Sequence, residues 1–172
     1  MDPITTGVEV SIIAIQSLMK SYDAYVSKKV MGTDQAVCQE VRRRIYSVLE
    51  HATINHKKSH RDKNRHARRE YENVIDICNS FIEDTRWSIT RPQSGGHEGI
   101  GKPGRKDLKR LVNHDLKVLN SLESCREEMG SIAYIRDSET LISDISNFSE
   151  LLADAKSNFK ERNMIFEGMI ER

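Results

Sequence analysis

Apolar residues recur along most of the chain at alternating intervals of four and three, the period of one face of an α-helix, and the breaks in that rhythm mark out its elements. Asp2 and Pro3 open the first, with a carboxylate for the free amides and a proline whose missing donor costs nothing in a first turn. Val8, Ile12, Ile15, Met19, Tyr22, Val26 and Val30 then predict one long helix, with a stop at Gly32. Thr33 or Asp34 can cap a second, whose inward residues are Val37, Val41, Ile45, Val48, Leu49 and Ala52. The stripe vanishes over residues 56–70 and resumes at Tyr71, Val74, Ile75, Cys78, Phe81 and Ile82. No glycine or proline interrupts the span from Asp34 to Trp87, so it reads either as two helices with a polar link or as one helix whose middle overshoots the core.

Residues 90–104 hold five of the nine glycines and two of the three prolines, which predicts a flexible surface loop. A helix from Arg105 to Met129 follows, with Leu108, Leu111, Val112, Leu119, Leu122 and Cys125 inward and Gly130 as its stop. Asp137 or Ser138 caps the last element. Its stripe is Leu141, Ile145, Phe148, Leu152, Ala155, Phe159, Phe166 and Met169, with Arg162 occupying one apolar slot. With no strand signal, the expected fold is all-α: a single domain over residues 1–172, an up-and-down bundle of four long helices with room for one short extra helix.

Charge distinguishes the first helix from the rest. Residues 1–19 carry only Asp2 and Glu9, whereas Asp, Glu, Lys and Arg make up 31% of the whole chain. Ile4, Val10, Ile13 and Leu18 widen its apolar surface beyond one stripe, and its polar positions are Thr, Ser and Gln, which cost far less to move toward lipid than ionised side chains. The run is nevertheless near the minimum spanning length and contains Glu9. It reads as a helix that can leave a bundle, not as a resident anchor.

A net charge of +1 gives no global pull toward nucleic acid or anionic lipid, so any electrostatic recognition must be local. The local candidate is Lys57, Lys58, Arg61, Lys63, Arg65, Arg68 and Arg69, opposed by Asp62. Such a cluster attracts phosphates. Nucleic acid is disfavoured as the partner because no aromatic residue lies between Tyr46 and Tyr71 to stack on bases.

Other chemistry finds little support. Gly96 to Lys102 has phosphate-loop spacing, but Pro103 stands where a Ser or Thr must reach magnesium, and the Gly99, Gly101, Gly104 fingerprint lacks the strand it requires. His56, His60 and His66 lie among seven cations that repel a metal. His114 beside Asp115 has no nucleophile at a telling spacing. No catalytic residue, metal or cofactor is expected, and the chain reads as a non-enzyme. Cys38, Cys78 and Cys125 are odd in number and widely spaced, which points to buried thiols in a reducing, cytoplasmic setting.

The opening Met1-Asp2-Pro3-Ile4, leading straight into a charge-poor helix and then into basic amphipathic helices, resembles the N-terminal four-helix cell-death domains. These are the fungal HeLo and HeLo-like domains, the bundle of mixed-lineage-kinase-like necroptosis effectors, the plant resistance domains and the prokaryotic Bell domains. The resemblance spans essentially the whole chain and rests on helix order and the character of the first helix. It implies an immune-defence effector that self-associates or is clustered by an upstream signalling partner, is recruited conditionally to a membrane, and disrupts it or forms pores. Carried over by segment, insertion would fall to Ile4, Val8, Glu9, Ile12, Ile13, Ile15 and Met19, and contact with anionic membrane lipids to Lys57 through Arg69. The rival class is a helical adaptor or assembly subunit.

Overall fold

A computed structural model describes residues 3–25, 30–89 and 105–170, and the side chains of 7–25, 30–86, 88 and 106–168. Five α-helices make up the described chain: α1 (Pro3–Leu18), α2 (Val30–Arg61), α3 (Arg65–Ile89), α4 (Arg105–Ile132) and α5 (Ser138–Ile170). No strand occurs among the described residues. The glycine-rich segment 90–104, with both of its glycine motifs, lies outside them.

The four longer helices surround one core. α2 packs on α3 and α4, α5 packs on α3 and α4, and among the described residues α1 packs mainly on α4. Helix directions follow from matched side chains. His56 meets Glu72 across α2 and α3, while Asp115 meets Arg162 across α4 and α5, so each of these pairs is antiparallel. Phe81 stacks near Phe159 and Asn163 donates to Ser88, so α3 and α5 run the same way. Arg44 meets Glu123, placing α2 beside α4 in a common direction.

The predicted stripes form the interior. Val37, Val41, Ile45 and Val48 of α2, Val74, Cys78 and Phe81 of α3, Leu111, Leu119 and Leu122 of α4, and Ile145, Phe148, Leu152 and Phe159 of α5 are all buried. Burial of each large aliphatic or aromatic side chain contributes about 1.5–3 kcal/mol, which is why the 3.6-residue rhythm selects these faces.

Three boundaries differ from the sequence expectation. The first helix ends at Leu18, not near Gly32, and Met19 to Tyr25 leaves the helical path, with Ala24 and Tyr25 both left-handed at φ 55° and 54°. Gly32 lies within the first turn of α2, and Thr33 and Asp34, expected as caps, are buried inside that helix. Gly130 likewise continues α4 to Ile132, because a glycine ends a helix only where the chain turns left-handed. Asp137 does cap α5, its Oδ2 accepting the Thr140 amide at 2.8 Å.

The open choice over residues 34–87 resolves as two helices. The amide of Asn64 donates to the Ser59 carbonyl at 3.0 Å and that of Lys63 to His60 at 3.2 Å, the paired bonds of a Schellman stop. Lys63 occupies its left-handed position at φ 56°, where glycine is usual, so no breaker residue betrays the turn in the sequence. Asn64 then starts α3, its Oδ1 accepting the Ala67 amide at 3.0 Å. A left-handed lysine costs roughly 1–2 kcal/mol and glycine recovers most of it, less its own entropy. Lys63→Gly is therefore expected to stabilise the protein by about 0.5–1 kcal/mol in denaturant unfolding; a loss of stability would contradict this backbone assignment.

Candidate functional site

The seven cations of the basic interval gather at one end of the bundle, around the α2–α3 turn, and line two main recesses, with a smaller one between them where Lys63 and Arg65 meet Arg68 and His60. Lys57, Arg61 and Arg68 line one side, together with His56, His60 and Glu72. Lys58, Lys63 and Arg65 line a cleft of about 710 Å³ on the other, where the α4–α5 connection supplies Arg136. Arg69 lines neither. Asn64 ties the two turns together, its Nδ2 donating to Ser138 Oγ at 3.0 Å. The histidines have ordinary partners: His56 Nε2 lies 3.2 Å from Glu72 and His60 Nδ1 lies 3.3 Å from Arg68. Among the described residues no group of three or more His, Cys, Asp or Glu is placed to hold a metal.

The candidate insertion residues divide by face. Ile15 and Met19 are buried, Val8 and Ile12 are half-buried, and Glu9 is exposed. Ile13 and its neighbour Val10 are 67% and 63% exposed, so α1 turns apolar side chains both inward and outward. Ile4 falls within the helix, but its side chain lies outside those described. Ser11 Oγ donates to Asn113 of α4 at 3.2 Å, and Arg44 Nη2 donates to the Leu18 carbonyl at 3.0 Å. These contacts run α1 alongside the starting half of α4, at the end of the bundle away from the basic turn.

A buried polar cluster holds the segment that follows α1. Tyr22 and Tyr25 each donate a phenolic hydrogen to Asp115 Oδ2, at 2.8 and 2.7 Å. Arg162 Nε donates to Asp115 Oδ1 at 2.8 Å, while its two terminal nitrogens reach Asp34 and the Tyr25 hydroxyl. Arg162 and Asp115 are fully buried and Asp34 is 1% exposed. The apolar slot that Arg162 fills in the sequence is thus the centre of a network joining α2, α4, α5 and the 19–25 segment. Its partners are 128 and 47 residues away, so sequence could flag the interruption but not its purpose. Asp115, read in the sequence beside His114, faces this network instead, while His114 lies 3.8 Å from Glu161.

Burial raises the Asp115 carboxyl above its usual range, opposed by the Arg162 charge and by the hydrogen bonds from Arg162, Tyr25 and Tyr22. Glu40 and Glu123 move the other way. For Glu40, burial is outweighed by the hydrogen bonds of Arg43 and Arg44; for Glu123, the Arg126 hydrogen bond dominates. All three cysteines are buried and none is joined in a disulfide among the described residues, and burial pushes the Cys78 and Cys125 thiols up to about 12, which leaves them poor nucleophiles.

No protein-family model matches the sequence, and no match was found among curated proteins or among solved structures.

Removing Arg162 strands two buried carboxylates, so Arg162→Met is expected to cost about 3–5 kcal/mol in urea unfolding; a loss near that of an ordinary surface change would refute the network's role. The pH dependence has a definite sign. A raised Asp115 contributes stability that is fully present below its unfolded pKa and fades as pH rises through its folded one, whereas Glu40 and Glu123 lose theirs as pH falls. Asp115→Asn should therefore lose stability more steeply than the parent on acidification from neutrality, measured by unfolding at a series of pH values. An unchanged slope would contradict it.

Proposed function

We propose that this protein is a membrane-disrupting effector of the cell-death or defence type, a bundle that keeps its first helix folded back until clustering releases it. We read α2 to α5 as an up-and-down four-helix bundle with α1 laid on its outside. The observation that carries the proposal is that α1, among the described residues, packs mainly on α4 and touches α2 through the Arg44 bond to Leu18, while exposing Val10 and Ile13. A helix with one main neighbour and two apolar faces has little to lose on leaving and much to gain at a lipid interface.

The mode of action is limited by length. Sixteen residues make a helix of about 24 Å, short of the roughly 30 Å hydrocarbon core, and no described helix is long and apolar enough to cross a membrane. α1 is therefore suited to lie in the interface, its apolar sides sunk among acyl chains and Glu9 held at headgroup level. Wedging of this kind in many clustered copies stresses one leaflet. Self-association also covers the α4 surface that release exposes.

We read the placement of the two elements as a gate. The basic turn and α1 sit toward opposite ends of the bundle, so docking on anionic lipid through the turn leaves α1 distant from the surface. Leu18 sits beside Arg44, about 25 Å along α2 from Arg61. A swing of α1 about Leu18 would carry its start to the level of the basic turn. The cluster around Asp115 need not break, because Tyr22 and Tyr25 lie beyond the pivot.

The rival adaptor reading is favoured by the same exposed pair, since Val10 and Ile13 are one turn apart and suit a partner helix. The two readings part in one experiment. Val10→Glu with Ile13→Glu changes only exposed positions, so folding should persist. The parent, clustered by a fused dimeriser, is expected to release dye from anionic vesicles and the variant to lose most of that release. Leakage that survives in the variant would sink the insertion mechanism; a stable soluble complex without vesicle binding would establish the adaptor.

A further inference from the structure

The cleft beneath the two turns adds to the basic turn a concave shape and an arginine from a second connection, neither of which the membrane reading uses. Lys58, Lys63 and Arg65 reach it from the α2–α3 turn, and Arg136 from the α4–α5 connection. Asp62 is the carboxylate among them, so four cations leave three positive charges around one cavity. Several arginines elsewhere are neutralised. Arg44 pairs with Glu40 and Glu123, Arg68 with Glu72, Arg126 with Glu123, and Arg162 with Asp34 and Asp115. No ion pair joins Lys58, Lys63, Arg65 or Arg136 to a carboxylate among the described residues. A concave site that collects unneutralised charge from two separate connections lacks its counter-charge.

The site is also preformed. The Asn64 to Ser138 hydrogen bond fixes one turn against the other, and Tyr71 and Ile132, each 2% exposed, make a packed apolar floor. The first-turn amides are partly spent on Asn64 and Asp137 as caps, so attraction comes from the side chains and not from the helix ends. A volume of about 710 Å³ lies within the ~300–1,000 Å³ of small-molecule sites.

We infer that this cleft binds a compact anion bearing two phosphoryl groups, with Arg65 and Arg136 gripping it from opposite turns and Lys58 and Lys63 completing the neutralisation. Two phosphoryl groups carry about three to four negative charges near neutral pH, matching the site, whereas one carboxylate leaves most of its charge unbalanced. Arginine from each side suits the flat, two-pronged contact that phosphate oxygens accept. The same chemistry occurs in a free pyrophosphate ester and in a bisphosphorylated lipid headgroup. The assignment holds whether or not α1 acts on membranes, because it uses none of α1.

The division of the basic interval into two sides supplies the test. Arg65→Gln with Arg136→Gln removes two charges from the cleft; Lys57→Gln with Arg61→Gln removes two from the other side of the same turn. All four residues are exposed, and unchanged thermal melting confirms folding. Calorimetry with pyrophosphate is the soluble arm. Flotation with neutral vesicles containing a bisphosphorylated lipid, against phosphatidylserine vesicles of equal charge, is the headgroup arm. In at least one arm the cleft pair should weaken binding roughly tenfold or more while the control pair stays within about twofold of the parent. The arm that responds identifies the source. Equal weakening by both pairs, or no binding of either bisphosphate probe by the parent, would overturn the cleft. Vesicle leakage by a parent that ignores both bisphosphate probes leaves the membrane proposal standing and this one fallen; selective pyrophosphate binding without leakage does the reverse.

Discussion

Arg162, buried with two carboxylates, sets the conditions that the rest of the molecule meets. Taking a guanidinium out of water costs several kcal/mol after relaxation, and only well-placed partners repay it. Here they come from α2, α4 and the segment after α1. Apolar stripes alone tolerate sliding, since one turn, about 5.4 Å, exchanges one aliphatic contact for another. The fork tolerates no such slip. A one-turn shift would leave Arg162 or Asp115 buried without its partner, so the network fixes register where apolar packing only fixes faces.

The same network explains why the first helix stops. Met19, Tyr22, Val26 and Val30 have helical spacing, and local pattern gives no reason to break there. Tyr22 and Tyr25 nevertheless bring their hydroxyls to one oxygen of Asp115 from a path that has left the helix. Ala24 and Tyr25 accept left-handed backbone to reach it, and Gln16 steadies the turn by donating to the Tyr22 carbonyl at 3.1 Å. Tertiary hydrogen bonds outweigh local propensity. As a result α1 is an element separate from the segment that follows it.

The basic residues show a related limit of linear reading. As a run they look like one patch, because charge density is visible in sequence and direction is not. The Schellman turn at Lys63 sends Lys58 and Arg65 to one side and Lys57 and Arg61 to the other. Arg136, which completes the cleft, stands alone in its own stretch and carries no local signal. A left-handed lysine instead of a glycine also hid the helix boundary, since the backbone strain is relieved by bonds to Ser59 and His60 that sequence does not announce.

What the sequence determined by itself was the periodic part of the molecule. The helical faces of α2 to α5, the interior positions, the buried thiols and a cap at Asp137 or Ser138 all follow from 3.6-residue spacing and short-range hydrogen bonding. These depend on residues a few positions apart, and there the linear order carries the physics. Tertiary structure decided where α1 ends, why an arginine stands in the α5 stripe, and which cations share a cleft. Each of those is set by pairing between groups tens of residues apart, where electrostatics and hydrogen bonding in a dry interior outweigh anything that neighbours along the chain can encode.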